Sequence, residues 1–100
     1  MFVHHVFFWL NNPDATAERS KLLEGLKQLK AIESIHTVHI GVPASTDRPV
    51  IEKGYDFSLL LVFNDMEAHD TYQVHPVHKQ FVETCAQLWS KVLIYDAVDA

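Results

Sequence analysis

Two stretches, Phe2–Leu10 (FVHHVFFWL) and Tyr55–Phe63 (YDFSLLLVF), are apolar on both faces of the strands they predict. Successive side chains of a strand point to opposite faces. Phe2, Val6, Phe8 and Leu10 therefore share one side of the first strand, and Val3, Phe7 and Trp9 the other. In the second, Phe57, Leu59 and Leu61 oppose Leu60 and Val62. A sheet with one face in water alternates apolar and polar residues, and this one does not. A single layer of helices covers one face only, so the other needs a second cover. A second copy of the same sheet is the most economical one, and a homodimer through the sheet face away from the helices is expected.

The segments between complete the pattern. Asn12 is a natural helix cap with Pro13 at the first helical position, and Leu22, Leu26 and Leu29 keep helical spacing to about Ala31, with Leu23 beside the stripe. Gly25 inside that helix costs about 1 kcal/mol against alanine. Ser34–Val42 alternates as a strand, and Pro43–Gly54 is a loop with two prolines. Asn64, with Glu67 three residues on, makes a capping box for the second helix, and Lys91–Val98 is the last strand. The order βαββαβ predicts an α+β, ferredoxin-like fold over residues 1–100 as one domain: a four-stranded antiparallel sheet with its helices on one face.

Composition narrows the functional classes. A formal charge of −5, a pI near 5.7 and no Lys/Arg cluster argue against nucleic acid as a partner. The apolar N-terminal stretch is too short to span a bilayer and lacks a basic leader, so no membrane partner and a cytoplasmic location are expected. Cys85 is the only cysteine, which excludes an intrachain disulfide. Its place in the middle of an apolar stripe predicts a buried, inert thiol. No glycine-rich phosphate loop or GxSxG elbow is present, and no cofactor is expected. The seven histidines form no HxH or HExxH pattern, so no metal site is expected either. Protonating all seven would carry the charge from −5 to +2, which predicts a pH-dependent surface.

The segment YQVHPVHKQF (Tyr72–Phe81) concentrates the chemistry. Pro76 removes an amide donor and pushes His75 out of helical geometry, so the helix breaks there and His75 becomes the cap of a new one. Counting on, His78, Phe81, Val82, Cys85, Leu88 and Trp89 form one stripe. His78 then points over the sheet, and Tyr72 converges on the same space. A hydrogen-bonded core histidine and a helix bend account for these residues as readily as a proton-transfer centre does. His69 shares the face of Tyr72, and His36 and His39 read as half-exposed strand residues. His4 and His5 point to opposite faces, so only one of them can serve a given site.

Taken together, VHHVFFWL, GYDFSLLLVF, YQVHPVHKQF and KVLIYDAV resemble the stress-responsive A/B barrel (Dabb) family along essentially the whole chain. The Tyr-x-x-His-Pro-x-His segment is the most specific part. The resemblance implies that two ferredoxin-like domains pair into a dimeric α+β barrel. A plant polyketide cyclase of the family closes its substrate by an aldol reaction without metal or cofactor. It uses the tyrosine and second histidine of that segment and a histidine on the first strand, positions filled here by Tyr72, His78 and His5. The resemblance also implies that odd residues of the first strand face the helices, so that His5, Phe7 and Trp9 line a pocket with Leu59, Leu61, Phe81 and Ile94. His75 and Phe57 belong to the same wall, Phe57 standing where the cyclase carries a further histidine. The expected function is a small dimeric protein that binds a small apolar ligand in this pocket. One alternative is a cofactor-independent, cyclase-like enzyme with His78 as base, Tyr72 stabilising an enolate and His5 relaying a proton. A second is a cofactor-free monooxygenase of the same superfamily.

Overall fold

A computed structural model describes residues 1–100. Its elements run β1 (Phe2–Leu10), α1 (Thr16–Gln28), β2 (Thr37–Gly41), β3 (Phe57–Phe63), α2 (Met66–Val74), α3 (Pro76–Cys85) and β4 (Trp89–Val98), with single 3₁₀ turns over Leu29–Ala31 and Ala86–Leu88. The strands form one antiparallel sheet in the order β2-β3-β1-β4. This is the expected ferredoxin-like α+β architecture, with the second helix divided in two at Pro76. No helix is long and apolar enough to cross a membrane.

The core settles which face of β1 is which. Phe2, Val6, Phe8 and Leu10 are buried against the helices with Leu22, Leu26, Phe57, Leu59, Leu61, Phe63 and Phe81. His4 is buried with them. The odd residues Val3, His5, Phe7 and Trp9 lie on the opposite face, only half-buried. The placement of His5, Phe7 and Trp9 against the helices is therefore corrected. Register explains it: Val6 pairs with Leu59 and His4 with Leu61, so the face that meets the helices carries even residues of β1 and odd residues of β3.

Two helix caps fall a few residues from where the sequence placed them. At α2, Asp65 rather than Asn64 caps, its carboxylate accepting the Ala68 N–H at 2.8 Å. At α1 the chain enters at Ala15 without a side-chain cap, and the Asn12 amide instead donates to the Glu18 carboxylate at 3.0 Å. The cap at α3 is as the sequence placed it: His75 Nδ1 accepts the Val77 N–H at 3.1 Å, with Pro76 at the first position.

Gly25 has a packing reason that outweighs its helix penalty. A Cβ there would stand 2.7 Å from Cys85 Sγ and 3.1 Å from the Phe81 ring, so only glycine lets α1 approach α3 this closely. At the Leu10 end of β1, Asp56 accepts the Leu10 N–H at 2.8 Å and Arg19 Nη1–H at 3.0 Å. The Arg19 guanidinium then lies 4.9 Å over the Phe57 ring. This junction ties β1, β3 and α1 at one end and leaves the other end, where the histidines gather, to separate contacts.

Candidate functional site

The site grows from the break in the second helix. With His75 held as a cap, α3 starts afresh and His78 falls in its first turn, above β1. Its Nδ1–H donates to the Gln73 carbonyl oxygen at 3.1 Å. A carbonyl can only accept, so the proton is on Nδ1 and the lone pair on Nε2. The Tyr72 ring lies 4.5 Å from the His78 ring, and the His4 ring 5.8 Å from Tyr72. His4 Nδ1 meets Asp96 Oδ1 at 2.5 Å, an ion-pair geometry that fixes the ring from β4.

These three rings form one polar patch in the wall of a cavity of about 200 Å³, otherwise lined mainly by Val6, Phe8, Leu59, Phe81, Trp89 and Ile94. The cavity lies between β1 and β4 on one side and α2 and α3 on the other; its wall on the edge strand β4 includes Val92 and Ile94, both exposed. Burial lowers the His78 pKa below its ordinary 6.5; the hydrogen bond to Gln73 opposes the shift, and His4 and His69 add to it. Burial also lowers that of His4, against the pull of Asp96. Burial raises that of Tyr72, which stays a neutral donor throughout the physiological range. The patch thus offers an unprotonated imidazole nitrogen and a phenol O–H, with apolar surface around them.

The predicted site residues divide. Tyr72, His78, Leu59, Phe81 and Ile94 line this cavity. His5 does not, and His4 stands in its place. Phe7 and Trp9 line a separate shallow groove on the opposite face with Tyr55, Leu93 and Tyr95. Leu61 is fully enclosed in the core. Phe57 is buried opposite Phe8 and does not reach the cavity. His75 turns away, its Nε2 lying 3.7 Å from Glu33. Sequence reasoning missed Asp96 and His69. Asp96 reaches His4 across 92 positions of chain, and its only local signal is an acid inside an otherwise apolar strand. His69 is buried and stacks on Phe2 at 4.3 Å, and it shares the helix face of Tyr72.

An antiparallel sheet in this order, covered on one face by helices and holding a polar-patched cavity beneath them, defines a ferredoxin-like α+β protein. The chain belongs to the stress responsive A/B barrel domain (Dabb) family, which it matches over residues 2–99. Among solved structures it is similar to a Dabb-family protein with a ferredoxin-like fold from Mesorhizobium loti (27% identity, TM-score 0.82, covering 99% of this chain and 96% of that one). It is also similar to a dimeric ferredoxin-like protein of unknown function from Thermobifida fusca (18% identity, TM-score 0.77, 96% and 88% covered). A third is a hydroxynitrile lyase from Passiflora edulis (14% identity, TM-score 0.79, 99% and 93% covered). No curated protein sequence matches the chain.

Proposed function

We propose that this Dabb protein is a homodimer, paired through the sheet face away from the helices, whose cavity binds a small apolar molecule carrying one carbonyl or hydroxyl group. The observation that carries the ligand reading is the wall itself: a cluster of His4, Tyr72 and His78, with Gln73 beside it, within a mainly apolar lining. Ligand sites have this composition, mostly apolar with a few convergent polar groups. At about 200 Å³ the cavity is below the roughly 300–1,000 Å³ of common ligand clefts, so the occupant is small or protrudes past β4.

The dimer is supported by the other face. Phe7 packs against Tyr55 at 4.9 Å and Tyr95 at 6.3 Å, with Trp9 6.4 Å from Tyr55, and Tyr95 is 61% exposed. A surface aromatic cluster of this kind marks an interface. The related protein from Thermobifida fusca is itself dimeric.

A second reading, turnover of the bound molecule, is favoured by the tautomer of His78. With its proton on Nδ1, Nε2 can accept a proton from the carbon next to a carbonyl. The electrons of that C–H bond pass into the carbonyl, and the Tyr72 O–H donates to the enolate oxygen formed. The His78 imidazolium then returns the proton, or the enolate attacks a second carbonyl. General acid/base help of this kind is worth about 10²- to 10⁴-fold. His4, held by Asp96, takes the relay position foreseen for His5. That a hydroxynitrile lyase shares this fold supports a scaffold able to host catalysis.

The test uses a panel of short aliphatic and aromatic ketones. Binding is read by quenching of Trp89 in a Trp9→Phe background. Saturable quenching that Ile94→Phe abolishes supports the cavity as the binding site; quenching that survives Ile94→Phe rejects it. Solvent deuterium exchange at the α-carbon, followed by NMR, then separates the two readings. Exchange lost in His78→Ala establishes turnover, and exchange equal in wild type and variant leaves a binding protein.

A further inference from the structure

His69 has no part in the acid/base reading, yet it is buried, and it stands beside two residues that do. His4 on β1, His69 on α2 and Asp96 on β4 each offer a ligand atom, all within 4.8 Å of one another. We propose that these three residues form a binding site for a divalent transition-metal ion beside the cavity. The inference is independent of the ligand reading above.

The hydrogen bonds already present suit the assignment. His69 Nδ1–H donates to Asp70 Oδ1 at 3.2 Å, which leaves the Nε2 lone pair for an ion. Metal-bound histidines are oriented in just this way by a carboxylate on the other ring nitrogen. The only group now on Nε2 is the Gln73 amide N–H at 3.2 Å, a neutral donor that an ion displaces. At His4, the proton held between Nδ1 and Asp96 Oδ1 occupies the position that an ion bridging the two would take. Bonds of about 2.0–2.2 Å place any two ligands of one ion within about 4.4 Å, so a small side-chain rotation closes the set.

The donor set selects the ion. Two imidazoles and one carboxylate favour Zn²⁺, Co²⁺, Ni²⁺ or Fe²⁺, whereas Mg²⁺ and Ca²⁺ prefer oxygen ligands throughout. Three protein ligands leave coordination positions open. His4 also lines the cavity, whereas His69 and Asp96 do not, so the ion would share one residue with the cavity wall. Asp96 is 43% exposed and gives the ion a route in from solvent. An ordinary packing role for His69, a ring laid on Phe2, predicts instead that phenylalanine replaces it without consequence.

The experiment is titration of untagged, metal-free protein with Co²⁺ and, separately, Zn²⁺, by calorimetry and by the visible absorption of Co²⁺. One equivalent per chain is expected, with absorption typical of low-coordinate Co²⁺ carrying nitrogen ligands. His69→Phe and Asp96→Asn should each weaken binding at least about tenfold, and Asp70→Ala, which removes the carboxylate that orients His69, by about 10- to 100-fold. His39→Ala, an exposed strand histidine, should leave it unchanged. No stoichiometric uptake, or equal uptake by wild type, His69→Phe and Asp96→Asn, overturns the site. Should His69→Phe fail to fold by circular dichroism, Asp96→Asn at the open strand edge decides alone. His78→Ala keeps Co²⁺ uptake while removing proton exchange, so either idea can fail without the other.

Discussion

His4 and His5 are neighbours in the chain and differ in almost everything else. His4 is 3% exposed, joined to Asp96, with the rings of His69 and Tyr72 5.1 and 5.8 Å away. His5 lies on the open face, its ring 4.3 Å from Phe7, across the sheet from His39, both being opposite Leu60 in the registers of β1 and β2 with β3. Burial lowers both pKa values. At His4 the Asp96 carboxylate opposes that shift, and at His5 the charge of His39 deepens it. One residue step along a strand therefore separates a histidine held by an acid in a cavity wall from one half-buried among aromatic rings on the outer face. The inner face concentrates polar chemistry in an apolar wall; the outer face spreads aromatic rings for another surface to meet.

The sharpest way to break this contrast is to strike each face once. Leu61→Ala empties a fully enclosed inner position, and leucine-to-alanine changes at such sites cost about 2–5 kcal/mol; urea unfolding should show that loss. Phe7→Glu on the outer face should leave the fold intact by circular dichroism and move the protein from dimer to monomer in sedimentation velocity. A Phe7→Glu protein that remains dimeric would place the interface elsewhere. Next comes the anchor at the opposite end of β1. Asp56→Ala strands the Leu10 amide and Arg19 together, and loss of hydrogen bonds to a charged group costs about 1.5–3 kcal/mol, read as a lower urea midpoint with ligand quenching retained.

Smaller effects sharpen the contrast. His4→Ala should weaken ketone quenching several-fold while His5→Ala leaves it unchanged; the reverse order would return the site to the odd face of β1. The smallest expected effect is in pH dependence. His4, His5 and His78 all have folded pKa values below the ordinary 6.5, so near and below pH 6.5 the unfolded chain binds protons more readily than the folded one. Their contribution is complete above 6.5 and is lost as the pH falls toward the depressed folded values. Thermal midpoints should therefore fall between about pH 7.5 and 5.5, and His78→Phe should flatten the slope.

The order of elements, the break at Pro76, the His75 cap and the inward turn of His78 were all readable from local spacing. The face of β1 was not. Alternation separates His4 from His5 but carries no sign when both sides are apolar, and the sign came from register with β3 and from the helices. The cap of α2 slipped because neighbouring residues compete: Asn64 and Asp65 can both cap, and Asp65 does so; at α1 the Asn12 side chain is taken by Glu18 instead. Asp96 and His69 were hidden for another reason. Asp96 meets His4 from the last strand, and His69 meets Phe2 and His4 from α2; no local pattern marks contacts between elements so far apart in the chain.

The close approach at Gly25 reaches further than helix packing. The atoms a side chain there would strike belong to Cys85 and Phe81, and Phe81 is also a wall of the cavity. Position 25 thus works as a spacer behind that wall. Gly25→Ala would push α3 outward and resize the cavity without altering any residue that a ligand touches. Selection for larger or smaller ligands, in nature or in the laboratory, can therefore act through the back of α1, and variants there should change which ketone in the panel binds best.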